Sequence, residues 1–186
     1  MGWMVPAVIA GGFTLFTAWF FRNPSRIIPQ GANVVVAPGD GKVIAIEEEF
    51  EPRYLKERSV RLTIFLNVFD VHVNRTPCEG LIEQVQYQPG AFLVASKPEA
   101  TLRNEQNALM IRTDKGAKVL CVQVAGLIAR RIVCWVAAGD RVPRGERFGL
   151  IRFGSRMDTF LPLGTKMRVA VGDRVKGGET IVGELQ

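Results

Sequence analysis

The feature that most constrains the fold is a succession of short apolar runs that begins after residue 22. The runs are rich in Val and Ile, which are typical of β-strands, and they are separated by Gly, Pro and Asp, which are typical of turns. No long stretch of this region keeps the 3.6-residue period of an amphipathic helix. We therefore predict a mainly β fold, either a β-sandwich or a barrel. The predicted strands cover residues 33–37, 41–46, 61–66, 80–87, 108–112, 117–124 and 129–135.

A weak internal repeat supports this fold class. Residues 138–146 and 171–179 both contain the pattern G-D-x-V-x-x-G, which predicts a tight turn next to a short strand. Gly supplies the positive φ angles of such turns, and the Asp side chain bonds the turn backbone. The pattern resembles that of biotinyl and lipoyl carrier domains, which are small β-sandwiches with quasi-twofold symmetry. This resemblance bears on the fold more than on the function.

Composition argues against several functional classes. The chain has 186 residues and a net charge of +6, from 24 Lys and Arg against 18 Asp and Glu. This length allows one domain of ordinary size with a small appendage. Cys78, Cys121 and Cys134 are too few and too far apart for a disulfide framework, and they indicate a reducing compartment. The single histidine, His72, argues against a histidine-rich metal site, and we predict no bound metal.

The basic excess consists mainly of arginine, which provides 17 of the 24 basic residues. The planar guanidinium suits phosphate and carboxylate groups, so an anionic partner competes with a solvated surface as the explanation. No helix-turn-helix, zinc-finger or RNA-recognition signature is present, so nucleic acid is not an expected partner. Membrane phosphate is the other anionic candidate.

The amino terminus differs from the rest of the chain. Residues 3–21 carry no charge, and as a helix these 19 residues would extend about 28 Å, just enough to cross a bilayer core. Aromatic residues lie at both ends of the run, as at a membrane interface. A proline and a glycine pair within it weaken the helix, so insertion into one leaflet is the alternative. A signal peptide is disfavoured, because a basic start and a small-residue cleavage site are both missing.

We therefore predict a hydrophobic membrane-associating segment, 1–22, followed by a folded domain, 23–186. Arg22 and Arg26 follow the apolar run, and no basic residue precedes it. The positive-inside bias then predicts that the domain lies on the cytoplasmic side of the cell membrane.

A segment between two of the predicted strands carries a row of polar side chains. Asp70, His72 and Asn74 alternate with valines in segment 65–75. Successive side chains of a strand point to opposite faces, so a strand here would place all three polar groups on one face.

Two further segments contain short polar motifs. Asp40 lies in the glycine-framed turn 37–42, and Ser155 follows Gly154 in segment 152–158. Taken alone, each has a structural explanation, because Asp beside Gly commonly forms turns and Gly-Ser is a frequent loop dipeptide. A lone histidine is likewise often a hydrogen-bonded core residue. Together, however, these residues leave few ways to assemble an Asp–His–Ser set. The pattern G-x-S-x-G is absent, which argues against an α/β-hydrolase.

The sequence Phe-Gly-Ser-Arg-Met-Asp at residues 153–158 resembles the self-cleavage site of the short, prokaryotic (archaeal-type) form of phosphatidylserine decarboxylase. Residues 37–41 and 69–75 resemble the other two signatures of that family. Residues 125–133 and 145–149 resemble the stretch that precedes its cleavage site. The hydrophobic start followed by Phe-Arg-Asn-Pro also fits. The resemblance covers essentially the whole chain, and its motifs are specific.

This resemblance implies a proenzyme that cuts itself between Gly154 and Ser155. The products would be a β chain, 1–154, and an α chain, 155–186, which stay together as a heterodimer; a higher homo-oligomer is left open. Ser155 would become a pyruvoyl group, a pyruvate cofactor made from the protein itself. That group would form a Schiff base with the amine of phosphatidylserine in the membrane and accept electrons as CO₂ leaves, which yields phosphatidylethanolamine.

The same resemblance assigns the proton chemistry. Asp40 would orient or charge His72, and His72 would move the proton for Ser155. Longer members of the family carry a second histidine three residues after the first, whereas this chain has Arg75 there. Either His72 serves both processing and turnover, or Asp40 acts more directly in one of them. We expect Gly154 to allow close approach of the attacking hydroxyl, since glycine has no Cβ.

Four basic residues near the cleavage segment are candidates for binding the phosphate or carboxylate of the substrate. A solvated or membrane-facing surface explains each of them at least as well. They are Arg130, Arg131, Arg152 and Arg156.

Three other functions remain open at this stage. One is a pyruvoyl decarboxylase that acts on a soluble amino acid, against which the apolar amino terminus argues. Another is a biotinyl- or lipoyl-like carrier. Its candidate acceptor would be Lys166, but this lysine lies too close to the second repeat turn to be at the tip of the opposite hairpin. The third is a membrane-tethered β-domain that binds without catalysis.

Overall fold

The computed structural model describes residues 3–93, 103–126, 131–151 and 154–186. Within these ranges the chain begins with the helix α1 (Met4–Phe20) and continues as strands joined by turns, which confirms the mainly β prediction. The strands are β1 (Val34–Val36), β2 (Gly41–Glu51), β3 (Glu57–Leu66), β4 (Val73–Arg75), β5 (Gly80–Gln88), β6 (Gln106–Arg112), β7 (Lys118–Val124), β8 (Ile132–Cys134), β9 (Arg141–Val142), β10 (Arg147–Ile151), β11 (Ser155–Pro162), β12 (Lys166–Met167), β13 (Arg174–Val175) and β14 (Ile181–Glu184).

The largest sheet has eight strands in the order β13-β2-β3-β11-β7-β6-β5-β9, and each neighbouring pair is antiparallel. Two three-stranded sheets accompany it, β1-β14-β12 and β4-β10-β8. All three sheets contribute to one apolar core, with Val35 and Val182 from the first small sheet, Phe148 from the second, and Leu62 and Met157 from the large one. The small sheets therefore pack against one face of the large sheet.

Strand β11 lies in the middle of the large sheet and is paired with β3 on one side and β7 on the other. Met157 and Leu161 belong to the shared core, whereas Phe160 belongs to a second apolar cluster. Because side chains alternate along a strand, Ser155 shares the face of Met157 and Arg156 shares the face of Phe160. The first residue of β11 therefore points towards the shared core.

The two G-D-x-V-x-x-G segments adopt the same turn geometry. Gly139 and Gly172 have φ angles of +97° and +105°. The Oδ2 atoms of Asp140 and Asp173 each accept a 2.8 Å hydrogen bond from the backbone amide three residues earlier. Each turn leads into a two-residue strand at one edge of the large sheet, β9 at one edge and β13 at the other.

Helix α1 is exposed along most of its length, and Phe20 at its end is buried. The helix has 17 residues, so it is slightly shorter than the uncharged run that predicted it. None of the helices in the described part of the chain is long and apolar enough to cross a membrane.

Candidate active site

Ser155 is the first residue of β11, where it lies opposite Leu66, the last residue of β3. Its side chain is fully buried, and Oγ has no hydrogen-bond partner among the described residues. A buried hydroxyl without a partner costs free energy, so it requires an explanation in terms of function or of a partner that arrives later.

Gly154 precedes this serine in the left-handed backbone region, with φ of +64°. Apart from its two chain neighbours, an added Cβ would meet no described atom within 4 Å. Glycine suits this position because L-residues adopt positive φ at a cost of about 1–2 kcal/mol. The backbone conformation therefore favours glycine, and the expected close approach of the Ser155 hydroxyl stays a prediction.

His72 lies between the end of β3 and the start of β4, and its side chain is fully buried. The imidazole lies against the ring of Phe20, with 4.3 Å between the ring centroids and 32° between the planes. The carbonyl oxygen of His72 accepts a hydrogen bond of 3.3 Å from the amide of Ile151, three residues before Gly154. The end of α1 and the strand that leads to the cleavage segment thus enclose the histidine.

Burial lowers the pKa of His72 below its ordinary value of 6.5. A backbone hydrogen bond at Asp70 and the charges of Asp70 and Asp40 act in the opposite direction, whereas the positive charge of Arg22 adds to the lowering. The imidazole is therefore neutral near pH 7, which is the form that can accept a proton.

Asp40 lies in the turn between β1 and β2, and its carboxylate is held from two sides. The Nη2 atom of Arg26 lies 2.9 Å from both carboxylate oxygens, and the amide of Gly177 donates a 2.8 Å hydrogen bond to Oδ1. The side chain of Arg26 is 6% exposed and that of Asp40 is 16% exposed, so this ion pair is largely shielded from water. Glu179 lies 3.7 Å from the other terminal nitrogen of Arg26.

Gly39 is the point at which the three motif segments meet. A Cβ built on Gly39 would lie 3.3 Å from Cδ2 of Leu66, 3.6 Å from Nδ2 of Asn74 and 3.6 Å from Cγ of Met157. Leu66 is the strand partner of Ser155, Asn74 is two residues after the histidine, and Met157 is two residues after the serine. The fold therefore brings the Asp40 turn, the His72 segment and the start of β11 together in one buried corner.

The whole chain is similar to known proteins of one family. The sequence model of the family described as phosphatidylserine decarboxylase matches residues 13–183. This chain belongs to the phosphatidylserine decarboxylase family. Three similar proteins are all named phosphatidylserine decarboxylase proenzyme. That of Syntrophus aciditrophicus is 51% identical over 95% of this chain and 83% of its own length. Those of Nitrosomonas europaea and Burkholderia pseudomallei are 52% and 44% identical, over 92% and 99% of this chain and 79% and 93% of their own lengths.

The family resemblance that the motifs indicated is thus confirmed. At the position where longer phosphatidylserine decarboxylases were expected to carry a second histidine, Arg75 makes structural contacts. Its guanidinium donates hydrogen bonds of 3.0 Å to the carbonyl oxygen of Gly145 and to Oδ1 of Asn23. Arg75 therefore fastens the segment that follows α1 to the body of this decarboxylase.

The structure separates the four arginines proposed as substrate ligands. Arg130 and Arg152 lie outside the described residues. Arg156 is buried on the face of β11 opposite Ser155, with Nη2 3.0 Å from Oδ2 of Asp158. Arg131 is exposed and directly precedes β8, whose first residue pairs with Ile151 at the end of β10. Of the two described arginines, Arg131 is therefore the one at an exposed position beside the cleavage segment.

The structure does not place Asp70, His72 and Asn74 on one strand, which the alternating pattern favoured. Only Asn74 lies on a strand, because β4 begins at Val73. His72 precedes β4, and Asp70 lies in a turn, where its Oδ2 accepts a 2.9 Å hydrogen bond from the amide of Asn67. The sequence also gave no indication of the contact between Phe20 and His72, because the two residues lie far apart along the chain.

Proposed function

We propose that this chain is a proenzyme that cuts itself between Gly154 and Ser155 and uses the resulting pyruvoyl group to decarboxylate phosphatidylserine. The folded domain is 23–186, and cleavage divides the protein into a β chain, 1–154, and an α chain, 155–186. The observation that carries the proposal is the buried Oγ of Ser155, which has no hydrogen-bond partner in the described part of the chain and directly follows a left-handed glycine. Membership of a family whose members are named proenzymes supports it.

The cleavage requires no outside reactant except water. Oγ of Ser155 attacks the carbonyl carbon of Gly154, and the peptide C–N bond breaks, so that an amide becomes an ester. A base then removes the α-proton of Ser155, and the Gly154 carboxylate leaves as the ester C–O bond breaks. The remaining dehydroalanine takes up water and releases ammonia, which leaves a pyruvoyl group at residue 155.

Strand pairing should hold the two chains together after the cut. The α chain contains β11, which is hydrogen-bonded to β3 and β7 of the β chain. It also contains β13 and β14, which pair with β2 and β1. The product is therefore expected to be a heterodimer whose central strand comes from the shorter chain.

The residues around position 155 suit a pyruvoyl group. Residue 155 is buried, and it shares its face of β11 with the core residues Met157 and Leu161, so water has little access. A pyruvoyl group supplies a ketone that captures the substrate amine and an adjacent carbonyl that takes up the electrons released with CO₂.

His72 is the residue that we propose moves protons in this site. Burial lowers its pKa and keeps it neutral, so it can take a proton during processing and return one during turnover. The Asp40 carboxylate is held by Arg26 and by the amide of Gly177. We therefore assign Asp40 an electrostatic and positioning role and not that of a free base. Arg131 is the candidate for contact with the phosphate or carboxylate of the lipid.

We propose that α1 associates the enzyme with the cell membrane, with the domain on the cytoplasmic side and the substrate within the lipid layer. The helix exposes a long apolar surface to its surroundings. Its end lies at the active site, where Trp19 contacts Phe69 and Phe20 contacts His72. The large exposed side chains of the helix are Trp3, Met4, Val5, Val8, Ile9, Phe13, Leu15, Phe16 and Trp19.

We also propose that the two repeat turns mark a quasi-twofold arrangement of the kind found in biotinyl and lipoyl carrier domains. The matching hydrogen bonds of Asp140 and Asp173 and the placement of β9 and β13 at opposite edges support this relation. The relation concerns the fold alone and leaves the proposed activity unchanged.

The proposed function is tested by comparing Ser155→Ala with a matched control, Ser59→Ala. Ser59 is also a fully buried serine whose Oγ has no partner among the described residues, and it pairs with Pro162 at the other end of β11. We expect wild type and Ser59→Ala to run as two fragments and to release CO₂ from phosphatidylserine. Ser155→Ala should remain one chain without activity, and its cleavage at the same bond would refute the proposal.

A further inference from the structure

A row of buried amide side chains runs from the large sheet to the small sheet that contains β4. Nδ2 of Asn107 donates a 3.0 Å hydrogen bond to Oε1 of Gln123, and Nε2 of Gln123 donates a 2.8 Å hydrogen bond to Oδ1 of Asn74. These side chains lie on β6, β7 and β4, and each is at most 3% exposed. Polar groups of this kind are costly in a core unless they serve each other or a ligand.

This row lies on the same face of the sheet as Ser155. Asn107 pairs with Gln123, and Gln123 pairs with Met157 on the central strand β11. Directly opposite residues of neighbouring strands share a face, and Ser155 is two residues before Met157 on that face. Gln123 therefore lies opposite Met157, the next residue after the proposed nucleophile on that face of β11.

The orientation of the last amide is fixed by its neighbours. Because Gln123 donates to Oδ1 of Asn74, Nδ2 of Asn74 must point to the other side. A Cβ on Gly149 would lie 2.3 Å from the carbonyl oxygen of Val133 and 2.7 Å from Nε2 of Gln123. Glycine at position 149 therefore allows the close approach of β8 and also leaves space for this amide.

Nδ2 of Asn74 is buried and has no hydrogen-bond acceptor among the described residues. It points into the corner at Gly39, where Leu66 and Met157 also meet. The unpartnered Oγ of Ser155 belongs to the same corner, because Ser155 pairs with Leu66. An oriented donor and an unpartnered nucleophile are thus held close together.

We propose that Asn74 is a further catalytic residue of self-cleavage. When Oγ of Ser155 bonds to the carbonyl carbon of Gly154, the carbonyl oxygen takes up negative charge and the hydroxyl proton passes to the base. Nδ2 of Asn74 donates a hydrogen bond to that oxygen and stabilises the charge until the C–N bond breaks and the nitrogen is protonated. Gln123 and Asn107 are positioning residues that hold the donor in place. This inference rests on the proposed cleavage at Gly154–Ser155.

The test compares the first-order rate of chain cleavage in wild type and in Asn74→Asp. Aspartate keeps the shape of asparagine and still accepts the hydrogen bond from Gln123, but it places an acceptor where Nδ2 was. We expect cleavage to slow by about 10²–10³-fold, as for the loss of one donor to a developing oxyanion. Uncut chain should accumulate on a gel. A folded Asn74→Asp variant that is cut at the wild-type rate would overturn the proposal.

The buried carboxylate of Asn74→Asp could itself disturb folding. Asn74→Leu is therefore a second variant, because leucine is neutral and similar in size to asparagine. The same slowing is expected, and thermal unfolding shows whether each variant is folded. Asn107→Leu removes the far end of the row and leaves Asn74 in place, so its cleavage should slow less than that of Asn74→Asp. A larger effect from Asn107→Leu would mean that the row supports the fold alone.

Hydroxylamine identifies the step at which Asn74 acts, because it cleaves esters readily and amides slowly. If Asn74 assists the first attack, uncut Asn74→Asp should contain little ester and should resist the reagent. Rapid cutting of this variant by hydroxylamine would show that the ester forms without Asn74. The proposed function is judged separately by wild type and Ser155→Ala. If wild type cuts itself at Gly154–Ser155 and Asn74→Asp does so equally fast, only the role of Asn74 fails.

Discussion

The ring of Phe20 lies against the ring of His72, with a centroid separation of 4.3 Å. This contact joins the last residue of the amino-terminal helix to the histidine that we propose as the proton carrier. The burial that lowers the pKa of His72 therefore depends in part on a residue of the segment that we propose associates with the membrane. A truncation that removes residues 1–21 would change the surroundings of His72 as well as the proposed membrane contact.

The contact predicts that Phe20→Ala raises the pKa of His72 towards its ordinary value, because water then reaches the imidazole. The acidic limb of the pH profile for CO₂ release should move to higher pH. Phe13→Ala is the matched control, since Phe13 lies on the same helix and is 71% exposed. An acidic limb that stays in place in Phe20→Ala would show that Phe20 does not shield His72.

His72 should also make stability depend on pH. Its pKa is lower in the folded protein than in the unfolded chain, so the unfolded chain binds the proton more readily. The free energy of unfolding should therefore be highest above about pH 6.5 and should fall as the pH drops through that value towards the lower folded pKa. Denaturant unfolding of uncut Ser155→Ala, with and without His72→Leu, isolates this effect. A difference between the two proteins that is constant from pH 7 to pH 5 would contradict it.

Arg26 should matter for both stability and cleavage. Loss of one partner from a shielded ion pair leaves the other charge unsatisfied, so Arg26→Gln is expected to cost about 3 kcal/mol of unfolding free energy. Because Asp40 loses its orientation, cleavage should slow as well. Arg168→Gln breaks the exposed pair with Glu184 and should cost much less, because water and salt already screen these two charges. Equal costs for the two variants would mean that the Arg26–Asp40 pair has no special role.

The sequence predicted the regular parts of this site better than its contacts. The Gly-Asp turns and the Val-rich strands follow from local chemistry, and the cleavage motif follows from the family resemblance. The pair formed by Arg26 and Asp40 could not be predicted. The tertiary fold brings the segment after α1 to the turn before β2, and no local sequence pattern shows this contact. The same holds for the amide row, in which local sequence shows buried polar residues but not their partners.

Asp70 lies in a turn and not in a strand for a physical reason. Alternation of polar residues with valines favoured a strand, but Asn67 and Asp70 exchange hydrogen bonds that close a turn. The amide of Asp70 donates to the carbonyl oxygen of Asn67, and the amide of Asn67 donates to the carboxylate of Asp70. Side-chain bonds of Asn and Asp to the nearby backbone compete with strand pairing, and here they prevail.

Helix α1 should carry the attachment to lipid. Phe13→Asp places a charge in the middle of its exposed apolar surface and should reduce sedimentation with phospholipid vesicles while self-cleavage continues. Phe50→Asp is the control, because Phe50 is 57% exposed and lies on β2, away from the helix. If both variants lose vesicle binding equally, or neither does, α1 is not the attachment surface.

The intact mass of the purified wild-type protein shows directly whether self-cleavage produces a pyruvoyl group. Self-cleavage predicts two polypeptides, one that ends at Gly154 and one that begins at residue 155. The second should be lighter by one ammonia than the same fragment with an amino-terminal serine, because its first residue is a pyruvoyl group. A single uncut chain of 186 residues, or a second fragment that begins with an unmodified serine, would contradict the proposed function.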